Sequence, residues 1–189
     1  MGPLDTTVSM AVNALRSVLD QSGVKPEDID LLICASGTFD QPIPHNSCLI
    51  KQQIGWEHLR MPCFDVDSTC LSYLNALEVA AALIETGRYQ RIAIVNSEVG
   101  SLSMNPEDPK TQSLFGDAAV ASLVVKGSQA RPTPTYFINF AEGARYAQVP
   151  AGGVAMRRTH GQNPLEAYHF QMDGRRLLKL TFKHVDDFI

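Results

Sequence analysis

The amino-acid sequence predicts an α/β fold in which a mostly parallel β-sheet is covered by helices. Apolar segments, each with the length of one buried strand, lie at residues 31–36, 63–67, 91–97 and 118–126. Segments with apolar residues at helical spacing precede or separate the first three of them. Parallel strands need a crossover connection, which is usually a helix, so this alternation indicates βαβ units.

The composition argues against several classes of protein. The 189 residues are 44% hydrophobic and 19% charged, and the formal net charge of −4 disfavours nucleic acid as a partner. The four cysteines show no Cys-x-x-Cys spacing, so we expect neither disulfides nor zinc, and no metal or organic cofactor is indicated. Because no stretch has membrane-spanning length and no signal-peptide pattern occurs, we expect a cytoplasmic protein without a membrane partner.

The first element should be a helix that Asp5 or Thr6 caps and that Gly23, followed by Pro26, ends. Its apolar residues recur at helical spacing, so one face should pack against the sheet. These residues are Val8, Ala11, Val12, Leu15, Val18 and Leu19. The buried strand at residues 31–36 follows.

A second helix should have Asn46 as its cap and stop at Gly55. The strand at residues 63–67 then leads into residues 71–84, where side chains are small or apolar on nearly all sides. A helix that is apolar all round belongs in a protein interior, so we expect this one to be central and buried. Its clearest apolar face carries Leu71, Leu74, Leu77 and Ala81.

Cys70 lies between that strand and the central helix and is the candidate nucleophile. Asp67, Ser68 and Thr69 supply capping oxygens just before it, so the thiol should lie beside free backbone N–H groups of the first turn. The positive end of the helix dipole favours a thiolate there, and acyl transfer to sulfur is natural chemistry for such a group. The alternative is a buried structural cysteine.

The remaining chain contains fewer regular elements. Gly87 should close the central helix, and the strand at residues 91–97 is followed by a polar loop before the strand at residues 118–126. Residues 127–161 are rich in Pro, Gly, Arg and Thr, which predicts a surface excursion with one possible strand at residues 136–140.

A last amphipathic helix should start after Asp173, which caps it. Its apolar face holds Leu178, Thr181, Phe182, Val185, Phe188 and Ile189. Positive charge is also concentrated in this final part of the chain, where it could attract an anionic partner or simply form a solvated face. The basic residues are Arg157, Arg158, Arg175, Arg176, Lys179 and Lys183.

The segment around Cys70 resembles the nucleophile region of thiolase-fold condensing enzymes, specifically the 3-oxoacyl-acyl-carrier-protein synthase III (β-ketoacyl synthase III) family. From residue 64 it runs Phe-Asp-Val-Asp-Ser-Thr-Cys-Leu-Ser-Tyr-Leu. Further matches follow in order, with Gly-Arg-Tyr-Gln-Arg-Ile-Ala-Ile-Val at 87–95, Asn-Pro-Glu-Asp at 105–108, Leu-Phe-Gly-Asp-Ala-Ala at 114–119 and Met-Asp-Gly at 172–174. One cysteine before a helix is a weak signal, but this ordered series is specific.

The resemblance implies an acyltransferase in which Cys70 takes an acyl group from acyl-CoA. Decarboxylative condensation with a malonyl carrier thioester, in fatty-acid or polyketide synthesis, would follow. It implies that Phe115 lines the entrance of the acyl tunnel, that Ile43 reaches into a partner subunit's pocket, and that Gly174 binds substrate. Lys179 falls where the family has a lysine that docks the acyl carrier protein. Acyl-CoA is then a substrate rather than a cofactor.

The resemblance also implies that this chain holds one half of a two-half fold. Residues 1–170 resemble the N-terminal thiolase-like α/β domain, which we expect to be incomplete at its N-terminus, and residues 171–189 resemble the opening of a C-terminal half. The His and Asn that promote condensation in the family come from that second half, and no matching motif follows Cys70 here. We therefore expect a fragment that pairs with a complementary half. We also expect a homodimer in which the strand at residues 91–97 pairs across the two-fold axis.

Two other readings remain open. The chain could come from an acyl-shuttling relative or a non-decarboxylative long-chain condensing enzyme, or it could be a catalytically incomplete interaction module of a split enzyme. The Pro44-His45-Asn46 segment suggests a base for Cys70, but it precedes the nucleophile and lies at a helix start. A histidine in such a place is more often a cap or surface residue.

Overall fold

The computed structural model describes residues 5–127, 135–156 and 163–187. The chain forms two compact units. The first comprises Met1–Val99 and Asp117–Thr135, and the second comprises Gly100–Gly116 and Tyr136–Ile189. The division expected between residues 170 and 171 rests on the resemblance of each part to a thiolase half, and it stays a prediction.

The first unit is built around a four-stranded sheet. Its strands are β1 (Leu31–Cys34), β2 (Cys63–Asp65), β3 (Arg91–Val99) and β4 (Asp117–Val125), and its helices are α1 (Thr7–Ser22), α2 (Asn46–Gln53) and α3 (Ser72–Glu85). The strand order is β2-β1-β3-β4, with the first three parallel and β4 antiparallel to β3. This confirms an α/β fold with a parallel-rich sheet. β4 runs the other way because residues 100–116, which join it to β3, contain no crossover α-helix.

β1 is buried at all four positions because helices cover both faces of the sheet there. Leu32 and Cys34 share a core with α1 and α2, whereas Leu31 and Ile33 share a core with α3. Successive side chains of a strand point to opposite faces, so one continuous apolar run serves both cores.

The first helix forms as predicted. Thr6 caps α1, and its side chain and that of Ser9 exchange hydrogen bonds with each other's backbone N–H groups. Gly23 ends the helix with a left-handed φ of 69°. The predicted apolar face is buried at four positions, which are Val8, Ala11, Val12 and Leu15.

The start of α2 differs from the prediction in one respect. Asn46 is the first helical residue and not the cap, and the residue in the cap position, His45, makes no capping bond. The carboxylate of Asp65 at the end of β2 accepts hydrogen bonds from the backbone N–H groups of Asn46 (2.8 Å) and Ser47 (2.9 Å) instead. A partner that is distant in sequence thus satisfies the free donors of this helix, which local patterns do not reveal.

The expectation that α3 is buried on all sides was wrong for the described chain. Its inward face consists of small residues and Ile84, with Ser72, Ala76 and Ala80 each completely buried. The predicted apolar face points away from the sheet, since Leu71, Leu74 and Leu77 are 36–48% exposed and Ala81 is exposed as well. Small side chains let a helix approach a sheet closely, so the alanine face is the one that packs.

The expected role of β3 at a dimer axis was also wrong. β3 is hydrogen-bonded to β1 along one side, at Ile92–Val95, and to β4 along the other side over its whole length. A strand that is paired on both sides cannot add another strand. The sheet edges in the first unit belong to β2 and β4.

The second unit contains a two-stranded antiparallel ribbon, β5 (Ala147–Gln148) with β6 (Gln171–Met172), and helix α4 (Gly174–His184), which continues as a 3₁₀ turn over Val185–Asp187. Asp173 caps α4 as predicted, by accepting a hydrogen bond from the N–H of Arg176. Residues 136–140 form no strand. The predicted basic residues Arg157 and Arg158, and the predicted apolar residues Phe188 and Ile189, lie outside the described residues.

Candidate functional site

Cys70 is exposed in the 3₁₀ turn Thr69–Leu71, which connects β2 to α3. Helix α3 begins two residues later, at Ser72, and its cap residue Leu71 makes no capping side-chain bond. The thiol therefore lies just before the helix, close to the predicted place. It is presented at the surface, which excludes the alternative of a buried structural cysteine within the described chain.

The turn that carries Cys70 is held by short-range hydrogen bonds. The Asp67 carboxylate accepts from the N–H of Thr69 at 3.0 Å. The Ser72 hydroxyl accepts from the N–H of Ser68 at 2.9 Å and donates to the carbonyl of Thr69 at 2.6 Å. Of the three predicted capping residues, Asp67 thus binds the turn and not the helix itself. The buried Ser72 side chain was not predicted, although a serine four residues after Ser68 was a readable signal.

Thr69 adopts a backbone conformation that is rare for its residue type. Its φ is 51°, in the left-handed region, and it is the only such residue other than glycine among the described residues. A β-branched residue in this region is strained by about 1–3 kcal/mol and persists only where its surroundings fix it. Strain of this kind immediately before Cys70 is typical of a turn that presents a reactive side chain.

The four cysteines differ sharply in environment. Cys34 is buried in the core beside α1, and burial raises the pKa of its thiol to about 12. Burial also raises the pKa of Cys63 in β2. Cys48 and Cys70 are exposed. A protonated buried thiol is a poor nucleophile, so the two exposed thiols, Cys48 and Cys70, are the better candidates for the nucleophile.

The other predicted site residues are distributed over both units. Ile43 belongs to the first unit and is 84% exposed in the loop before α2. Phe115 belongs to the second unit and contacts Phe170 edge to face, with ring centroids 5.0 Å apart. Gly174 is the first residue of α4, and Lys179 is exposed on the same helix.

A cavity of ≈ 660 Å³ lies within the second unit. Its lining combines polar residues, among them Lys110, His169 and Asp173, with the side chains of Phe170 and Met172 and with Gly174. The Nδ1 atom of His169 is buried and has no hydrogen-bond partner among the described residues. Gly174 borders this cavity and Lys179 does not line it, and the roles of both residues stay predictions.

His45 is engaged at the start of α2. Its Nδ1 lies 2.8 Å from the Ser47 hydroxyl and 3.4 Å from the Asp65 carboxylate. These contacts assign it to the helix terminus, in agreement with its interpretation as a cap-region residue. The described residues contain no cluster of three or more His, Cys, Asp or Glu side chains that could bind a metal ion. No helix in the described ranges is long and apolar enough to cross a bilayer.

Comparison with known proteins places this turn inside a shared segment. The family model described as 3-oxoacyl-[acyl-carrier-protein (ACP)] synthase III matches residues 64–147. The β-ketoacyl-[acyl-carrier-protein] synthase III of Symbiobacterium thermophilum is 30% identical over 187 residues, which are 98% of this chain and 56% of that protein.

Solved structures agree with the sequence comparison. A crystal structure of a 3-oxoacyl-(acyl-carrier-protein) synthase III superposes with a TM-score of 0.85 at 23% identity, over 97% of this chain and 58% of the other. The priming β-ketosynthase from the R1128 polyketide biosynthetic pathway gives 0.84 at 24% identity, over 97% and 54%. At this identity the structures support the fold alone. The chain spans about half the length of the curated relatives it matches.

Proposed function

The chain belongs to the 3-oxoacyl-[acyl-carrier-protein] synthase III family, and from this premise we propose that it carries the acyl-accepting nucleophile of a condensing enzyme. The observation that carries the proposal is the presentation of Cys70. It is exposed on a strained turn before α3, inside the segment that matches the family model. Cys34, in contrast, is sealed in the core.

The proposed step transfers an acyl group from acyl-CoA to sulfur. The Cys70 thiolate attacks the thioester carbonyl carbon, a new carbon–sulfur bond forms, and the bond to the CoA sulfur breaks. CoA leaves as a thiolate and takes up the proton that Cys70 gave up, so the exchange involves no oxidation or reduction. The backbone N–H of Cys70 is the proposed donor to the transient oxyanion from this chain, and the family resemblance implies that a glycine of the second half supplies the other donor.

Acyl-CoA and an acyl carrier protein are the proposed partners. Phe115 and Gly174 are proposed to contact substrate, and the exposed Lys179 is proposed to bind the anionic carrier. Ile43 is exposed enough to reach a second copy of the chain, which supports the proposal of a homodimer. The dimer would use the edge of β2 or β4, because β3 is paired on both sides. A cytoplasmic location stays a prediction.

Decarboxylative condensation requires more than acyl transfer. Stabilising an enolate needs hydrogen-bond donors. The family resemblance implies that a His and an Asn of the second half supply them. His45 is bound to the start of α2 and is not offered to Cys70. We therefore propose that a complementary polypeptide supplies these groups and that this chain alone condenses at negligible rates. The exposed leucines of α3 also suit an interaction module, which is the second candidate function.

Mass spectrometry of the intact chain after incubation with acetyl-CoA or a longer acyl-CoA tests acyl transfer. We expect one acyl group on the native chain and none on Cys70→Ser. Cys48→Ser is the matched control because Cys48 is also exposed, and it should acylate normally. Equal acylation of Cys70→Ser would refute the assignment, and an unacylated native chain would favour the interaction module.

A second experiment tests completeness. Condensation with a malonyl thioester is measured for the chain alone and after coexpression with a second-half polypeptide that carries His and Asn. We expect the pair to exceed the isolated chain by orders of magnitude, since losing even one oxyanion donor typically costs about 10²–10³ in rate. Ordinary turnover by the isolated, monodisperse chain would contradict the proposal.

A further inference from the structure

We propose that Glu98 is a positioning residue for Cys70 and acts through the loop at residues 35–38. This inference rests on the proposed function only in taking Cys70 as the nucleophile. Glu98 lies near the end of β3 and does not belong to the turn that carries Cys70. Its influence must therefore pass through the loop that lies between them.

The Glu98 carboxylate binds two consecutive backbone amides. Its Oε1 accepts from the N–H of Gly37 at 2.8 Å, and its Oε2 accepts from the N–H of Thr38 at 3.0 Å. A charged acceptor that uses both oxygens fixes the orientation of a peptide group as well as its position. The loop segment around Gly37 is thus clamped by one side chain.

Other contacts hold the clamp and the loop to the same end of β3. The Asn96 side chain donates to the carbonyl of Ala35 and, at 3.3 Å, to Glu98 Oε1. The hydroxyl of Thr38 accepts from the N–H of Val99 at 3.1 Å. Because this end of β3 is hydrogen-bonded to β4 on one side and to the loop on the other, the segment that carries Glu98 is rigid. A rigid base is what a positioning residue needs.

Gly37 forms the contact with the nucleophile turn. A Cβ atom added to Gly37 would lie 3.3 Å from the Cα atom of Thr69 and 3.7 Å from Asp67 Oδ1. Gly37 has no left-handed φ, so the close approach is what favours glycine here. The neighbour is the strained residue Thr69, whose carbonyl carbon is bonded to Cys70. Glu98 thus reaches Cys70 through two hydrogen bonds, one backbone contact and one peptide bond.

Two substitutions should disturb the link between Glu98 and Cys70, one at the carboxylate of Glu98 and the other at Gly37. Glu98→Gln keeps the size of the side chain but places an amide NH₂ against one backbone N–H, so one of the two bonds is lost. Gly37→Ala keeps both bonds and pushes on Thr69. Gly153→Ala is the control, since an added Cβ there meets no atom within 4 Å and φ is not left-handed.

The readout is the rate constant and the amplitude of two single-turnover reactions of Cys70, alkylation by iodoacetamide and acylation by saturating acyl-CoA. We expect Glu98→Gln and Gly37→Ala to lower both rate constants roughly 10-fold with full amplitude, because small misplacements of a reacting group are costly. Gly153→Ala should match the native chain. Hydrogen exchange of the Gly37 and Thr38 amides should accelerate in Glu98→Gln.

The outcomes separate this inference from the proposed function. A reduced amplitude with a native rate constant would mean that Glu98 only stabilises the fold, and it would overturn the inference. Native rate constants in both variants would also overturn it, while acylation of the native chain would stand. If the native chain is never acylated, the proposed function fails, and the alkylation rates alone decide whether Glu98 positions Cys70.

Discussion

Helices α1 and α3 lie against the two sides of one sheet, but they are built differently. α1 has a reciprocal cap at Thr6, a left-handed glycine at its end and large residues such as Leu15 completely buried. α3 has no side-chain cap, buries mostly small residues and leaves several leucines exposed. α1 therefore contributes mainly stability, whereas α3 presents a turn and an apolar surface. The difference shows that the hydrophobicity of a helix does not measure its burial.

The largest expected effect tests that contrast directly. Leu15→Ala in α1 should lower the free energy of unfolding by about 2–5 kcal/mol, because Leu15 is completely buried and its removal leaves a cavity. Leu74→Ala in α3 deletes the same atoms from a side chain that is 48% exposed and should cost less than about 1 kcal/mol. Urea unfolding of both variants gives the two values. Equal losses would show that α3 is covered in solution, for example by a second copy of the chain.

The next effect concerns how the start of α3 is held. Ser72→Ala removes a completely buried hydroxyl and leaves the N–H of Ser68 and the carbonyl of Thr69 without that partner. We expect a loss of about 1–3 kcal/mol in unfolding free energy and slower alkylation of Cys70. Thr6→Ala in the α1 cap should cost about 1 kcal/mol and leave alkylation unchanged. If Thr6→Ala also slowed alkylation, global stability and not the local turn would control the reactivity of Cys70.

The sequence predicted these elements unevenly for identifiable reasons. Local signals such as the Thr6 cap, Gly23 and the apolar run at β1 were sufficient for α1 and the parallel strands. The direction of β4 and the Asp65 cap of α2 depend on chain segments that meet only in the fold. The spacing of apolar residues in α3 also did not indicate that its alanine face, and not its leucine face, packs against the sheet.

The sequence was sufficient to predict Cys70 as the candidate nucleophile, but it did not reveal the residues that hold the turn around it. Cys70 was singled out because a strand, capping oxygens and a helix follow one another closely there, and because this segment resembles the nucleophile region of the synthase III family. Glu98 and Gly37 lie 28 and 33 residues from Cys70, and no spacing pattern connects them. A carboxylate near the end of a strand whose first half is largely apolar was the only available signal for Glu98. Residues that act through the backbone of another segment leave little trace in a single sequence.

The smallest expected effect uses pH to compare the two sides of the sheet, because Cys34 lies on the α1 side. Burial raises the pKa of Cys34 from 9.0 to about 12, so the folded chain retains its thiol proton at pH values where the unfolded chain loses it. The stabilisation from this proton is complete below pH 9 and is lost as the pH rises from about 9 to about 12. At pH 10 the loss should be about 1 kcal/mol.

Cys34→Ala isolates this contribution. The variant should be less stable than the native chain at pH 8 because of the lost packing, but its unfolding free energy should fall less steeply above pH 9. Lysines and tyrosines also titrate in this range and do so in both proteins, so the difference between the two slopes belongs to Cys34. If the unfolding free energies of Cys34→Ala and the native chain fell equally steeply with pH, water would have to reach the core on the α1 side. The contrast between the buried core under α1 and the exposed surface of α3 would then be wrong.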